Sequence, residues 1–371
     1  MTDPRQDEAD RASNRCAAVL GLTLPGDTVL YLLLPLYASS FGVTLAEAGL
    51  LLAANRLVRI VGYGWVARSY ERYGPRRACI IAAAAAAAAT GGYAVLPGVW
   101  LLLVARLLWG LAFAAMNIAT QALATAEPAG AARRSGTARA IIATGPMVGL
   151  LVGAVAAEFV GPKPVFLGLC VLSLCAIPVA FSLPEMKGAS VRGGPRFALP
   201  APLDIWSFVQ GLTLDGLFVI GLSVLAAAAL PDGAALAAGA ALAARYLAEI
   251  LLGPPAGRLA GRVGATWLLL LVSLGSALGL LVIGAGWLWI GCLVVVALRG
   301  LLQPLPAPVA AARAQPEQRV AALARLATWR DIGAGVGPLV AGILLPVMPH
   351  LLLYGIAALL LAVASVAALR R

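Results

Sequence analysis

Apolar residues run along the chain in blocks of roughly 20, separated by short polar or Gly/Pro-rich stretches, the length that crosses a bilayer core. In the first half the blocks fall at 17–38, 45–67, 77–96, 99–122, 137–158 and 164–183. In the second they fall at 205–229, 234–256, 266–285, 287–309, 327–346 and 349–369. A helix rises about 1.5 Å per residue, so each block reaches across a hydrocarbon core of about 30 Å. The pattern predicts an all-α membrane protein with twelve transmembrane helices. A polar tail occupies 1–16, and a basic Pro/Gly-rich stretch beginning PEMKGASVRGGPR separates the blocks at 184–204. The expected units are the tail, a six-helix bundle over 17–183, the linker 184–204 and a second six-helix bundle over 205–371.

Composition agrees. Hydrophobic residues make up 61% of the 371 positions and charged residues 12%, with a mean hydropathy of +0.94. A water-soluble domain is about half apolar and a quarter charged. The net charge of +11 does not form a patch suited to nucleic acid, because the basic residues recur between apolar blocks. Arg68, Arg72, Arg76 and Arg77 fall in one such interval, Arg133, Arg134 and Arg139 in another. Lys187, Arg192, Arg196, Arg258, Arg262, Arg313, Arg319, Arg370 and Arg371 continue the series, and the alternate intervals hold little beyond Lys163. The positive-inside rule then places both termini and the linker in the cytoplasm of an inner membrane.

Enzyme chemistry finds little support. Lys163 and Lys187 are the only lysines, so a phosphate-binding loop is absent. Cys16, Cys79, Cys170, Cys175 and Cys292 lack metal-ligand spacing, and His350 is the single histidine. No metal or cofactor is expected.

The two halves repeat each other at an offset of about 190 residues, as the paired bundles of one transporter class do. GLTLPGD (21–27) faces GLTLDG (211–216), and AANRLVRIV (53–61) faces AARYLAEIL (243–251). ARLLWG (105–110) faces LRGLLQ (298–303), and TGPMVGLLVG (144–153) faces VGPLVAG (336–342). The loop ARSYERYGPRR (67–77) resembles motif A of the major facilitator superfamily, with Glu71 at the acidic position and Arg72, Gly74, Arg76 and Arg77 matching or nearly matching. The second copy, GRLAGRVG (257–264), has Gly261 where the acid would be. RLLWGLAFA (106–114) resembles motif B. Gly145, Pro146, Gly149 and Gly153 resemble motif C of the drug/proton antiporters, with Gly337 and Pro338 as their repeat. The resemblance implies two rocking bundles, a motif A latch between them, and a helix-packing role for the Gly/Pro motif.

Counted conservatively, eight charges lie well inside the blocks: Asp27, Arg56, Arg59, Arg106, Asp215, Arg245, Glu249 and Arg299. At about 2.5–3.5 kcal/mol each, they oppose insertion by roughly 20 kcal/mol before pairing. They are therefore expected to line a central cavity or to pair across helices. Arg56 and Arg59 share one helix face, as do Arg245 and Glu249, and the latter two could form a purely structural pair. The resemblance places the first, fourth, seventh and tenth helices around the cavity. Asp27, Asp215 and Glu249 are candidate proton carriers, and the arginines are their partners or hooks for an anion. Arg330 and Asp331 are expected to form an interfacial ion pair. Asn117, Thr120, Gln121, Tyr31, Tyr37, Trp109 and Tyr246 are weaker candidates for substrate contact.

The expectation is a monomeric secondary transporter in the lipid bilayer, moving a small molecule by proton-coupled efflux. Five positive against three negative charges favour an anionic or zwitterionic substrate. Uptake of an organic anion, or a non-transporting scaffold or sensor with the same fold, are the alternatives.

Overall fold

The computed structural model describes residues 4–185, 200–229 and 234–369, all built from helices and short turns. The first half holds α1 (Pro4–Thr23), α2 (Pro25–Leu36), α3 (Leu45–Val95), α4 (Val99–Ala124), α5 (Ala131–Val160), α6 (Pro162–Leu174) and α7 (Ala176–Phe181). The second holds α8 (Pro202–Gln210), a π-helical turn (Gly211–Leu217), α9 (Phe218–Ala229), α10 (Ala234–Val263), α11 (Ala265–Gly284), α12 (Leu288–Leu302), α13 (Pro306–Arg313), α14 (Arg319–Leu344) and α15 (His350–Ala367). Among the described residues nine helices are long and apolar enough to cross a membrane. α10 and α14, which carry Arg245, Glu249, Arg330 and Asp331, fall outside those nine.

Local chemistry sets several boundaries. Thr44 and Glu47 form a capping box that starts α3, with the Thr44 backbone N–H donating to Glu47 Oε2 at 2.8 Å. α3 has 51 residues, and a straight helix of that length would span roughly 75 Å, far more than a membrane. It bends at Gly74, whose φ of +77° suits glycine, followed by Pro75, so one continuous run covers the second and third expected blocks.

Three boundaries differ from the sequence pattern. The expected polar tail is helical from Pro4 and buries Ala12, Ser13 and Cys16. α5 starts at Ala131 and α14 at Arg319, several residues before their apolar blocks begin. Hydropathy misses these polar turns, because the helices run on past the apolar core. The linker residues 186–199, with Lys187, Arg192 and Arg196, and the terminal Arg370 and Arg371 lie outside the described residues.

Proline and glycine together decide how the helices pack. Pro25 has no N–H, so the carbonyl of Gly21, four residues earlier, loses its helical donor. Gly145 of α5 lies directly against that Gly21 carbonyl, where any side chain would collide. A Cβ at Gly149 would come within 2.8 Å of Pro25 Cβ, and one at Gly153 within 3.1 Å of Val29. The second half repeats the device: Gly337 of α14 lies against Gly216 of the π turn, where a Cβ would meet Gly216 Cα at 2.6 Å.

The halves meet along α10 on α5 and α14 on α3. Gly136 and Gly253 lie face to face, and a Cβ at Gly257 would reach Arg133 Cα at 3.0 Å. Arg319 Nη1 of α14 donates to the Thr125 and Ala126 carbonyls at 2.9 and 2.8 Å, occupying the C-terminal end of α4. The same end of the molecule carries the Arg133–Asp10 ion pair near one terminus and the Arg313 contact to the Ala368 carbonyl near the other. Around the outside Val61, Phe159 and Trp100 are more than three-quarters exposed, as befits helices facing lipid.

Candidate functional site

Three clusters of charge lie between the helices. The first belongs to the first half. Asp27, one turn into α2, is buried beneath Arg106 of α4, which donates Nη1 to Asp27 Oδ1. Asn55 Nδ2 donates to the same oxygen at 2.9 Å. Arg106 also donates Nε to the Leu51 carbonyl at 3.1 Å and lies 5.2 Å from the centre of the Tyr31 ring. The pair is one negative against one positive charge, so it is neutral within itself. Burial of either charge alone would be costly, and pairing removes that cost.

The second cluster belongs to the second half and is denser. Asp215 sits in the π turn. Its Oδ1 accepts Arg299 Nε and Nη2 at 2.9 and 2.7 Å, and its Oδ2 accepts Arg330 Nε at 2.9 Å. Arg245 approaches Asp215 Oδ1 at 3.7 Å, and Gln210 donates to Oδ2 at 3.3 Å. Arg299 spends its remaining Nη1 on Glu249 Oε1 at 2.6 Å. Arg299 thus bridges both acids of this half.

The third cluster joins the halves. Arg59 of α3 lies 3.1 Å from Asp331 Oδ2 of α14, and the Tyr63 hydroxyl donates to the same oxygen at 3.1 Å. The Arg59 guanidinium also covers the Phe113 ring at 4.5 Å. Arg56 donates Nη1 to the Ala334 carbonyl at 2.5 Å. That carbonyl is the one Pro338 leaves without a helical donor. Arg56 therefore supplies from the other half the hydrogen bond that proline removes.

The structure re-pairs several residues. Arg245 and Glu249 share a face but do not bind each other; they reach Asp215 and Arg299. Arg330 and Asp331 are likewise not a pair, since consecutive helical side chains diverge by about 100°. Arg330 turns to its own half and Asp331 to the other. Neither Arg56 nor Arg59 neutralises Asp27, which Arg106 holds. Asn55 and Tyr63 were not predicted. Asn55 was visible as a polar residue between apolar neighbours, whereas Tyr63 gave no signal in the pattern.

The motif A residues lie apart from these clusters. Arg76 donates to Glu185 at 2.6 Å beside the end of α7, within its own half. Arg72 covers the adjacent Tyr73 ring at 5.3 Å, Arg77 is exposed, and Glu71 is half-buried with no ion pair among the described residues. Asn117 and Gln121 bond to each other at 3.1 Å, and the Thr120 hydroxyl donates to the Met116 carbonyl at 2.8 Å. No cluster of metal-ligating side chains occurs among the described residues.

An all-helical chain that crosses the membrane repeatedly and buries paired charges between its helices has the build of a membrane transporter. The family model of the Major Facilitator Superfamily matches residues 16–231, and the chain belongs to that superfamily. Its fold is similar to that of the human organic anion transporter MFSD10 (TETRAN), with a TM-score of 0.81 at 14% identity, covering 99% of this chain and 100% of that one. Among curated proteins no sequence matches.

Proposed function

We propose that the protein is a twelve-crossing secondary transporter that moves a small anionic or zwitterionic molecule by alternating access, coupled to protons and in the direction of efflux. The observation that carries the anionic reading is the arginine excess between the helices. Arg56, Arg59, Arg106, Arg245, Arg299 and Arg330 stand against Asp27, Asp215, Glu249 and Asp331. The printed character of MFSD10 as an organic anion transporter agrees with it.

The contacts of Arg319 to the end of α4 and of Gly257 to Arg133 draw the halves together at the end carrying the termini. Those of Arg56 and Arg59 join them further along the helices. If the termini are cytoplasmic, as the arginine distribution favours, this arrangement is the outward-facing one. The close fit of Gly145, Gly149 and Gly153 on α1 and α2 is what a motif C antiporter would use to hold this packing, and it supports efflux. Asp27, Asp215 and Glu249 are the acids available to exchange a proton for substrate, each now held by an arginine.

The test is transport by the purified protein in proteoliposomes loaded with candidate anions. A pH gradient, acid on the side opposite the termini, should drive release toward the acid side, and Glu249→Gln should abolish that response while keeping exchange at equilibrium. Accumulation in the opposite direction would establish the uptake alternative. No exchange of any anion by the unaltered protein, with its cellular phenotype kept in Asp27→Asn and Arg106→Gln, would favour the scaffold.

A further inference from the structure

Arg139 falls at the very start of the fifth apolar block and groups by charge with Arg133 and Arg134, but α5 begins at Ala131, which carries Arg139 about 12 Å along the helix. There it faces α10 across a glycine: a Cβ at Gly253 would lie 3.8 Å from Arg139 Cβ, and Gly253 is one turn from Glu249. Arg139 lies within electrostatic reach of Arg330, Glu249, Arg299 and Asp215, yet makes no hydrogen bond or ion pair among the described residues. It is the first-half member of a cluster otherwise built by the second half.

The cluster then holds Arg139, Arg245, Arg299 and Arg330 against Asp215 and Glu249, two positive charges in excess. Arginine stays protonated even when buried, so the excess is not removed by loss of a proton. It is also unevenly satisfied. Arg299 is committed to both acids, whereas Arg245 reaches Asp215 only at 3.7 Å and its buried Nε has no hydrogen-bond partner. The Arg245 and Arg330 side chains are 19% and 29% exposed, against 5% for Arg299, so both keep part of their guanidinium open to a ligand.

We propose that the transported molecule is a small dianion, a dicarboxylate or a phosphate monoester, held by Arg139 of α5 on one side and by Arg245 and Arg330 on the other. Two negative charges balance the excess, and a monoanion leaves half of it. Guanidinium groups suit both chemistries because their planar donors match carboxylate and phosphate oxygens. A ligand gripped from both halves also gives each half a reason to close on it. The assignment rests on the transporter reading and narrows its substrate class.

Thermal melting of the purified full-length protein in detergent, at constant ionic strength, tests it with succinate, monomethyl succinate, butyrate, inorganic phosphate and chloride as probes. Ligand binding to the folded state raises the melting temperature in a saturable way. Succinate or phosphate should half-saturate at a concentration at least about tenfold below any monoanion. Arg139→Gln should erase that preference with little change in ligand-free melting, and Arg139→Lys should restore part of it. Equal responses to monoanions and dianions, no response to either dianion, or a preference surviving in Arg139→Gln would each overturn the assignment. Counterflow in proteoliposomes separates this from the broader reading. Exchange of monoanions without dianion preference removes only the dianion, whereas dianion binding without exchange removes transport.

Discussion

At the scale of single residues, the buried charges act through partners that other helices supply. Arg106→Gln leaves Asp27 buried without its cation and should lower stability by about 3–5 kcal/mol. Asp27→Asn combined with Arg106→Gln should recover much of that loss, and melting of the two singles and the double yields the coupling. Arg56 offers a sharper cycle. Its hydrogen bond to the Ala334 carbonyl exists because Pro338 has no N–H, so Arg56→Gln should cost about 1.5–3 kcal/mol. In a Pro338→Ala background the helix can supply its own donor, and the cost should shrink; an undiminished cost would show that Arg56 acts elsewhere. These pairings were only partly legible in the sequence. The eight intramembrane charges stood out because lipid makes each expensive, and the structure buries or half-buries them. Spacing along one helix, however, says only which face a residue shares. Arg245 and Glu249 share one and bind different partners, a choice made by how neighbouring helices approach.

At the scale of helices, small residues fix the distances that those pairings need. Gly145→Val should clash with the Gly21 carbonyl and sharply lower the yield of folded protein by size-exclusion chromatography. Gly168→Ala, with open space where its Cβ would go, should leave that yield unchanged. Gly145, Pro146, Gly149 and Gly153 were readable as a packing motif, and three of them do pack on α1 and α2. The partner surface was not readable, since it depends on Pro25 freeing a carbonyl two helical turns from Asp27's own contacts. Helix ends were the least legible feature. Arg139 grouped with the basic residues Arg133 and Arg134 ahead of it, because α5 extends six residues before its apolar block and polar residues at a helix start carry no hydropathy signal.

At the scale of the whole molecule, the inter-half contacts concentrate at the end that carries the termini. Spin labels at Tyr73→Cys and Val263→Cys, with exposed Cys175 replaced by serine, would span that end. Asp331→Asn combined with Arg319→Gln removes the Arg59 ion pair and the cap on α4, and should shift the distance distribution toward longer separations. An unchanged distribution would mean that the glycine contacts between α5 and α10, with the Arg56 hydrogen bond to α14, hold the halves closed. Four segment matches in order suggested an internal repeat, whereas the side of closure left no mark in the sequence, because it depends on cross-half contacts such as Arg319 to α4.

Arg330 and Asp331 are one peptide bond apart, with Cα atoms about 3.8 Å from each other. One grips the anion cluster of its own half and the other is the strut to the opposite half. A rigid helix cannot move one without the other. α14 therefore works as a rocker arm: a turn of this helix within its own half that frees Asp331 from Arg59 also drags Arg330 across Asp215. Occupancy of the cluster and separation of the halves become two readings of a single mechanical coordinate, so a probe placed on either end of that arm reports on both.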